Sequence, residues 1–383
     1  MMTRFACYIL LILGVTIQVN AQKSKVLATF HLIEDGKYKE AKEAIEDAIE
    51  EESTRHWPRT WYARGYLAQT AYEKGKKEND KKKYELYSDQ LYVAYQSYEK
   101  ALNLDNRKRL NDPLAPLYVL LANDFQKLGE AHYKSGNFEK AFRAFEHAIK
   151  VTESPVVTAE PDPNLIYNTA LSAYQSENLR KAIAYFDRLN KDHFSSHIPH
   201  LLSTIYLKQE DTVTAREVLI QGIDSYKENE DLILLLADLY YNSNDIKDAI
   251  NTLEVASENA DTSYIFLYTM GVIYQKDEQY KKAIEAYEKA LSRAKDSNEF
   301  EIYKNMGISY YNIGVEIQQK ARRIINRQDY QKEKEKAAAA LKSAVNAFEK
   351  AYEENPENPE VITRLNQLYD FLNIDERITA LDR

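Results

Sequence analysis

Cysteine is nearly missing from this 383-residue chain, and its one example, Cys7, sits in an apolar run near the N-terminus. No disulfide is therefore available, and because Cys7 is not at a cleavage junction, neither is a lipid-modified N-terminal cysteine. Glycine and proline are both scarce, at 10 and 9 residues. That argues against sandwiches and parallel-sheet enzymes, which consume turn residues, and favours a nearly all-helical chain. Excess basic charge is also lacking. A formal net charge of -9 argues against nucleic acid as the main ligand, since phosphate binding wants a strongly basic face. Catalytic signatures are missing as well: no nucleotide-type glycine loop, no His-Glu-x-x-His and, beyond Cys7, no cysteine nucleophile. The many Glu and Asp pairs stand four residues from lysines and read as solvated helix faces. The chain is expected to be non-catalytic and to hold no cofactor.

Long hydrophobic runs stop at one. Arg4, an apolar stretch from Phe5 to Ile17, and Val19-Asn20-Ala21 have the order of a secretory signal peptide cut after Ala21. Removing Arg4 with it leaves 50 basic against 60 acidic residues, a net charge of -10. No other stretch approaches the 18 apolar residues of a membrane span. An exported, periplasmic or envelope-associated protein without a transmembrane segment is expected, held together by packing alone.

What is present is a repeat. An alanine, a large apolar residue four on and a small residue three further on recur at Ala41/Ile45/Ala48, Ala94/Tyr98/Ala101, Ala141/Phe145/Ala148 and Ala182/Phe186/Leu189. The pattern continues at Ala215/Leu219/Gly222, Ala249/Leu253/Ala256, Ala283/Tyr287/Ala290 and Ala344/Phe348/Ala351. Intervals between leading alanines are 53, 47, 41, 33, 34, 34 and 61, so a period of about 34 is lengthened by insertions at both ends. Twelve residues before the alanine stands a small residue: Thr29, Gly129, Ala170, Ser203, Ala237 or Gly271; Gly65 and Gly307 stand further back, behind insertions. A small residue lets two helices approach, a large one fills the adjoining hole, and each pair leaves an apolar face for the next pair to cover. Gly271 and Ala283 are expected to mark one such contact.

This pattern resembles the tetratricopeptide repeat family over nearly the whole chain after residue 21. The family's aromatic or leucine before the glycine is matched at Trp61, Phe125, Leu267 and Tyr303, its later tyrosine at Tyr206, Tyr240, Tyr274 and Tyr310, and its closing proline at Pro356. Ser203, Gly222 and Leu189 depart from it. The resemblance implies an all-α, right-handed solenoid of antiparallel helix pairs. The expected layout is an N-terminal block 22–155 of three units with an insertion at 74–90, a C-terminal block 156–356 of five units with an insertion at 318–342, and a capping helix in 357–383. Units begin near Gln22, Pro58, Ala122, Pro163, Ser196, Glu230, Tyr264 and Phe300. Linkers are expected at 106–116 and at 152–164, the second a bend between blocks.

Tyrosine, at 30 residues, divides by register. Tyr206, Tyr240, Tyr274 and Tyr310 are expected in the core. In the resembled fold, positions three before, one after or four after the small residue face the concave groove, placing Tyr62, Tyr66, Tyr133, Tyr167, Tyr174, Tyr241, Tyr268 and Tyr311 there. His200, Asn168, Asn305 and Lys304 project to the same side and could bond a peptide backbone. Rigid tyrosines are favoured binding anchors; the alternative is that they pack on neighbouring helices. The lysine and asparagine clamp of chaperone-binding relatives is not reproduced. The cluster His193, His197 and His200 has spacing that suits a metal, but an inter-repeat turn is the preferred reading and no metal site is expected.

Both insertions are basic in an acidic chain. Residues 74–90 carry 6 basic and 4 acidic side chains, and residues 318–342 carry 8 and 3. They are expected to lengthen helices, with Arg322, Arg323, Arg327 and Lys334 either solvated or touching an anionic partner or membrane surface. The expected function is a scaffold, monomeric or a subunit of a hetero-complex, that binds another protein or peptide through its groove within an envelope or outer-membrane assembly. The alternative is a module binding a glycan or peptidoglycan fragment on the same aromatics.

Overall fold

The computed structural model describes residues 23–227, 229–259, 264–294 and 299–374, so the expected signal peptide lies outside the described residues. These residues are helical with short turns, and no strand occurs among them. The chain forms two compact units, residues 1–192 and 193–383, which places the 152–164 linker inside the first.

In the first unit α1 (23–34) pairs with α2 (Tyr38–Glu50), and a one-turn α3 (Glu52–Arg55) follows. The next helices are α4 (Pro58–Glu78), the short α5 (Lys81–Tyr84) and α6 (Gln90–Leu104). Then come α7 (Asn111–Lys134) with α8 (Phe138–Thr152), and α9 (Pro163–Gln175) with α10 (Leu179–Lys191). The second unit pairs α11 (His197–Lys208) with α12 (Thr212–Ser225) and α13 (Glu230–Asn242) with α14 (Ile246–Asn259). It continues with α15 (Tyr264–Lys276) and α16 (Tyr280–Arg293), then α17 (Glu299–Ala321) and α18 (Arg327–Glu354), and ends on α19 (Pro359–Leu372). Within each unit the helices pack against partners adjacent in the chain, as an α-solenoid requires.

The contact inside a helix pair is between the small residue of the first helix and the large residue of the second. A Cβ added to Gly271 would lie 2.5 Å from Tyr287 Cδ1, at Gly65 the same distance from Tyr98, at Gly129 2.6 Å from Phe145, and at Gly307 2.8 Å from Phe348. The partner of Gly271 is thus Tyr287, one turn beyond the Ala283 the register suggested. Ala283 is buried in the same cluster but its side chain is too short to fill the hole. At these four glycines the ring leaves no room for a Cβ; at Ser203 and Ala237, where the register puts the smaller Leu219 and Leu253, a side chain is accommodated, and both leucines are fully buried.

The turns inside pairs repeat in the same register. Gly36, Gly136, Glu177, Glu210, Asn244 and Glu278 all have positive φ between 59° and 75°, and each stands five residues before a leading alanine. The next amide then donates back to a carbonyl of the first helix, as in Asn178 N to Ala173 O (2.8 Å) and Gln279 N to Tyr274 O (2.8 Å). This left-handed closure turns the chain tightly enough for the second helix to run back along the first.

Three expectations need correction. The linker 106–116 is helical from Asn111, because Leu114, Tyr118, Leu121 and Phe125 form a continuous buried stripe. Pro113 lies among the first four residues, whose amides have no partner within the helix; Pro116, further in, is exposed. Second, Tyr206, Tyr240, Tyr274 and Tyr310 are half-buried. Their rings lie near the pair turn, where Arg216 covers Tyr240 at 4.7 Å and Lys282 covers Tyr274 at 5.4 Å. The tyrosines buried completely are instead Tyr98, Tyr118 and Tyr287, all 0 % exposed, two of them opposite the glycines, and Tyr38, Tyr87 and Tyr369 are also buried. Third, residues 74–90 lengthen only α4, and the rest of that insertion folds back through α5.

Candidate protein-binding groove

In the first unit, α1, α4 and the start of α7 enclose a recess of about 1020 Å³. Its floor is aromatic. Tyr62 and Tyr66, one turn apart on α4, stack at 6.2 Å with planes 12° apart, and Phe30 of α1 lies 5.8 and 5.9 Å from them. Trp57, just before the helix, and Leu27 extend the apolar lining, while Arg59, Arg107 and Arg109 stand at the rim with Glu34 and Asp105. The arginines are exposed and make no ion pair among the described residues. Asp105 is engaged: its Oδ2 accepts from Leu110 N at 2.7 Å, fixing the loop that walls the recess. Burial, then the neighbouring Tyr66, push the Tyr62 hydroxyl above its ordinary pKa, against Arg59, so the Tyr62 ring presents a neutral phenol at neutral pH.

Tyr62 and Tyr66 are the two groove candidates brought together here. Phe30, Trp57 and the arginines were missed by reading tyrosines alone. Phe30 follows Thr29 as Tyr66 follows Gly65, so applying the register to all aromatics would have found it. Tyr133 meets Phe138 edge-on at 5.3 Å, and Tyr167 lies against Phe186 at 6.2 Å. Both, like Tyr174, are half-buried.

In the second unit the candidates are tied into neighbouring helices. Tyr268 approaches Tyr287 at 5.9 Å and accepts a hydrogen bond from Asn305 Nδ2 at 3.0 Å, linking α15 to α17. Lys304 pairs with Glu301 at 2.8 Å and covers Phe300. Lys276 lies over Tyr241 at 5.1 Å and Arg364 over Tyr311 at 5.5 Å. His200 is half-buried, edge-on to His197 at 5.4 Å, and burial, then the His197 charge, depress its pKa. Among the described residues no group of three or more His, Cys, Asp or Glu is placed to hold a metal.

Matches to the tetratricopeptide repeat models fall at residues 31–84, 127–193, 206–265 and 264–297. Together they span more than half of the chain, and the chain belongs to the tetratricopeptide repeat family. No curated protein matches it. Among solved structures, a TPR repeats protein from Bacteroides fragilis is 21% identical with a TM-score of 0.37, over 65% of this chain and 98% of that one. MamA from Desulfovibrio magneticus RS-1 is 17% identical with a TM-score of 0.34, over 46% and 97%. YrrB, described as a TPR protein with an unusual peptide-binding site, is 17% identical with a TM-score of 0.32, over 51% and 90%. Among the described residues no helix is long and apolar enough to cross a membrane.

Proposed function

We propose that this chain is an exported, non-catalytic scaffold that binds a segment of a partner protein through the groove of its first unit, as part of a cell-envelope assembly. The observation that carries this reading is the Phe30, Trp57, Tyr62 and Tyr66 floor beneath a rim of unpaired arginines. Stacked phenols offer large contact area at low entropic cost, and the arginines select acidic or carbonyl-rich partners and hold the segment in register. Stacking of a glycan on the near-parallel Tyr62 and Tyr66 rings is the second reading.

The test is capture from envelope extract by crosslinking and mass spectrometry, with peptide and glycan arrays run in parallel. Replacing Tyr62 and Tyr66 by alanine should lower capture of the partner segment tenfold or more, since one anchor can contribute about 2 kcal/mol. Helix content should be unchanged. Capture that survives the double substitution would place binding elsewhere, and selective retention on the glycan array would favour the second reading.

A further inference from the structure

The second insertion builds a hairpin whose tip is separate from the groove. The packed part of the α17–α18 pair ends with Ala321, Ala337 and Leu341, all buried. Beyond them the turn 322–326 and the first turns of α18 are nearly all exposed. This tip is built rather than loose. Ile324 N donates to Ala321 O at 2.9 Å and Arg323 N to Lys320 O at 3.2 Å, while the Asn326 side chain caps α18 by accepting from Gln328 N and Asp329 N.

What that turn presents is Ile325, 100 % exposed, with Tyr330 one turn into α18 also exposed. Around them stand Lys320, Arg322, Arg323, Arg327, Lys332 and Lys334 against Asp329 and Glu333, an excess of four positive charges within fifteen residues of a chain at -9. Glu333 is already taken by Lys336 at 2.5 Å. Arg322, Arg323 and Arg327 make no ion pair among the described residues.

We infer that the α17–α18 tip docks on the surface of an anionic phospholipid bilayer. Ile325 sits at the apex with arginines on both sides of it in the chain. A bilayer surface meets both features at once: Ile325 enters below the phosphate level, the guanidinium groups hydrogen-bond phosphates, and Tyr330 lies at the headgroup boundary. An acidic protein surface would answer the charge but leave the apex apolar side chain without a purpose. Each basic side chain near an anionic membrane strengthens binding about fivefold. The tip alone therefore gives weak, salt-sensitive attachment, effective alongside a second contact.

Flotation of the full chain with vesicles tests this, using phosphatidylcholine alone or mixed with phosphatidylglycerol. Retention on the neutral vesicles sets the baseline of uncharged contacts, and the expected result is a further, salt-reversible retention on the anionic ones. Replacing Arg322, Arg323 and Arg327 by glutamine should reduce that increment on the order of a hundredfold, and Ile325→Ser on the order of tenfold, with melting unchanged. Should the arginine variant unfold, Lys332→Gln with Lys334→Gln at exposed positions should reduce the increment about 25-fold. Equal retention on both vesicle types, or an increment indifferent to these substitutions, overturns the proposal. Equally strong binding of soluble polyglutamate that ignores Ile325→Ser overturns it in favour of an acidic protein partner.

Discussion

Gly271→Ala is the smallest change that tests how the helix pairs are held. The added Cβ would stand 2.5 Å from Tyr287 Cδ1 and 2.9 Å from Cζ, so the ring has to move. It has nowhere free to go: Tyr287 is fully buried and its hydroxyl donates to Gln275 Oε1 at 2.8 Å, an oxygen that also accepts from Ser309 on α17. Overpacking of a filled core costs about 1–3 kcal/mol, and a lost hydrogen bond adds about 1 kcal/mol. Replacing glycine in a helix interior returns about 1 kcal/mol, leaving a net loss of about 1–3 kcal/mol. In a Tyr287→Leu background the ring is gone and only the propensity gain remains, so the same substitution should be neutral or stabilising. The coupling between the two positions should therefore reach about 2–4 kcal/mol. Because long repeat arrays need not unfold in one step, denaturant melts should be joined by hydrogen exchange of the α15 and α16 amides, which reads the pair locally. A coupling below about 0.5 kcal/mol, the size expected of independent sites, would refute the contact as described.

Three other perturbations follow from polar and strained positions. Glu146, 8 % exposed, joins α8 to α10 by accepting from Lys181 (2.6 Å) while also pairing with Lys150 (2.9 Å). Burial alone would raise its pKa, but these two lysines outweigh that and hold it below the ordinary value. Its contribution is thus present above the unfolded pKa of about 4.3 and lost as pH falls through the folded one; Glu146→Gln should lose about 1–3 kcal/mol at neutral pH, with the gap from the parent closing in acid melts. Asp124 behaves oppositely: burial, then Glu73, push it up to about 6 against Lys127, and its Oδ2 has no hydrogen-bond partner among the described residues. Its charged form opposes folding above that pH, so Asp124→Asn should stabilise on the order of 1 kcal/mol at pH 7 after solvent screening. That gain should vanish below about pH 4, the unfolded value, and a gain independent of pH would remove the explanation. Glu278, at φ 59°, holds a conformation that costs an L-residue about 1–2 kcal/mol, against about 0.5–1 kcal/mol of extra chain entropy for glycine; thermal melting of Glu278→Gly should show no loss and a gain of up to about 1 kcal/mol.

The sequence by itself determined the period, the identity of the paired helices and where most of them begin, because small and large residues at fixed spacing are a local signature of two helices crossing. Pro58, Pro163 and Glu230 open helices at the positions the register marks. It also flagged the basic insertions, since composition shifts need no fold to be seen. Which ring fills which hole was not legible: Gly271 meets Tyr287 and not Ala283 because a side chain's reach, not its place in the count, decides contact. The same holds for the aromatics. Tyr240 and Tyr274 share a register with core positions of the family, yet they lie at pair turns under cationic side chains, while Tyr62 and Tyr66 come to line a recess only because α7 begins at Asn111 and its preceding loop walls them in. Packing between successive helix pairs within the first compact unit decided that, through side chains far apart in the chain whose sizes and directions no single repeat encodes.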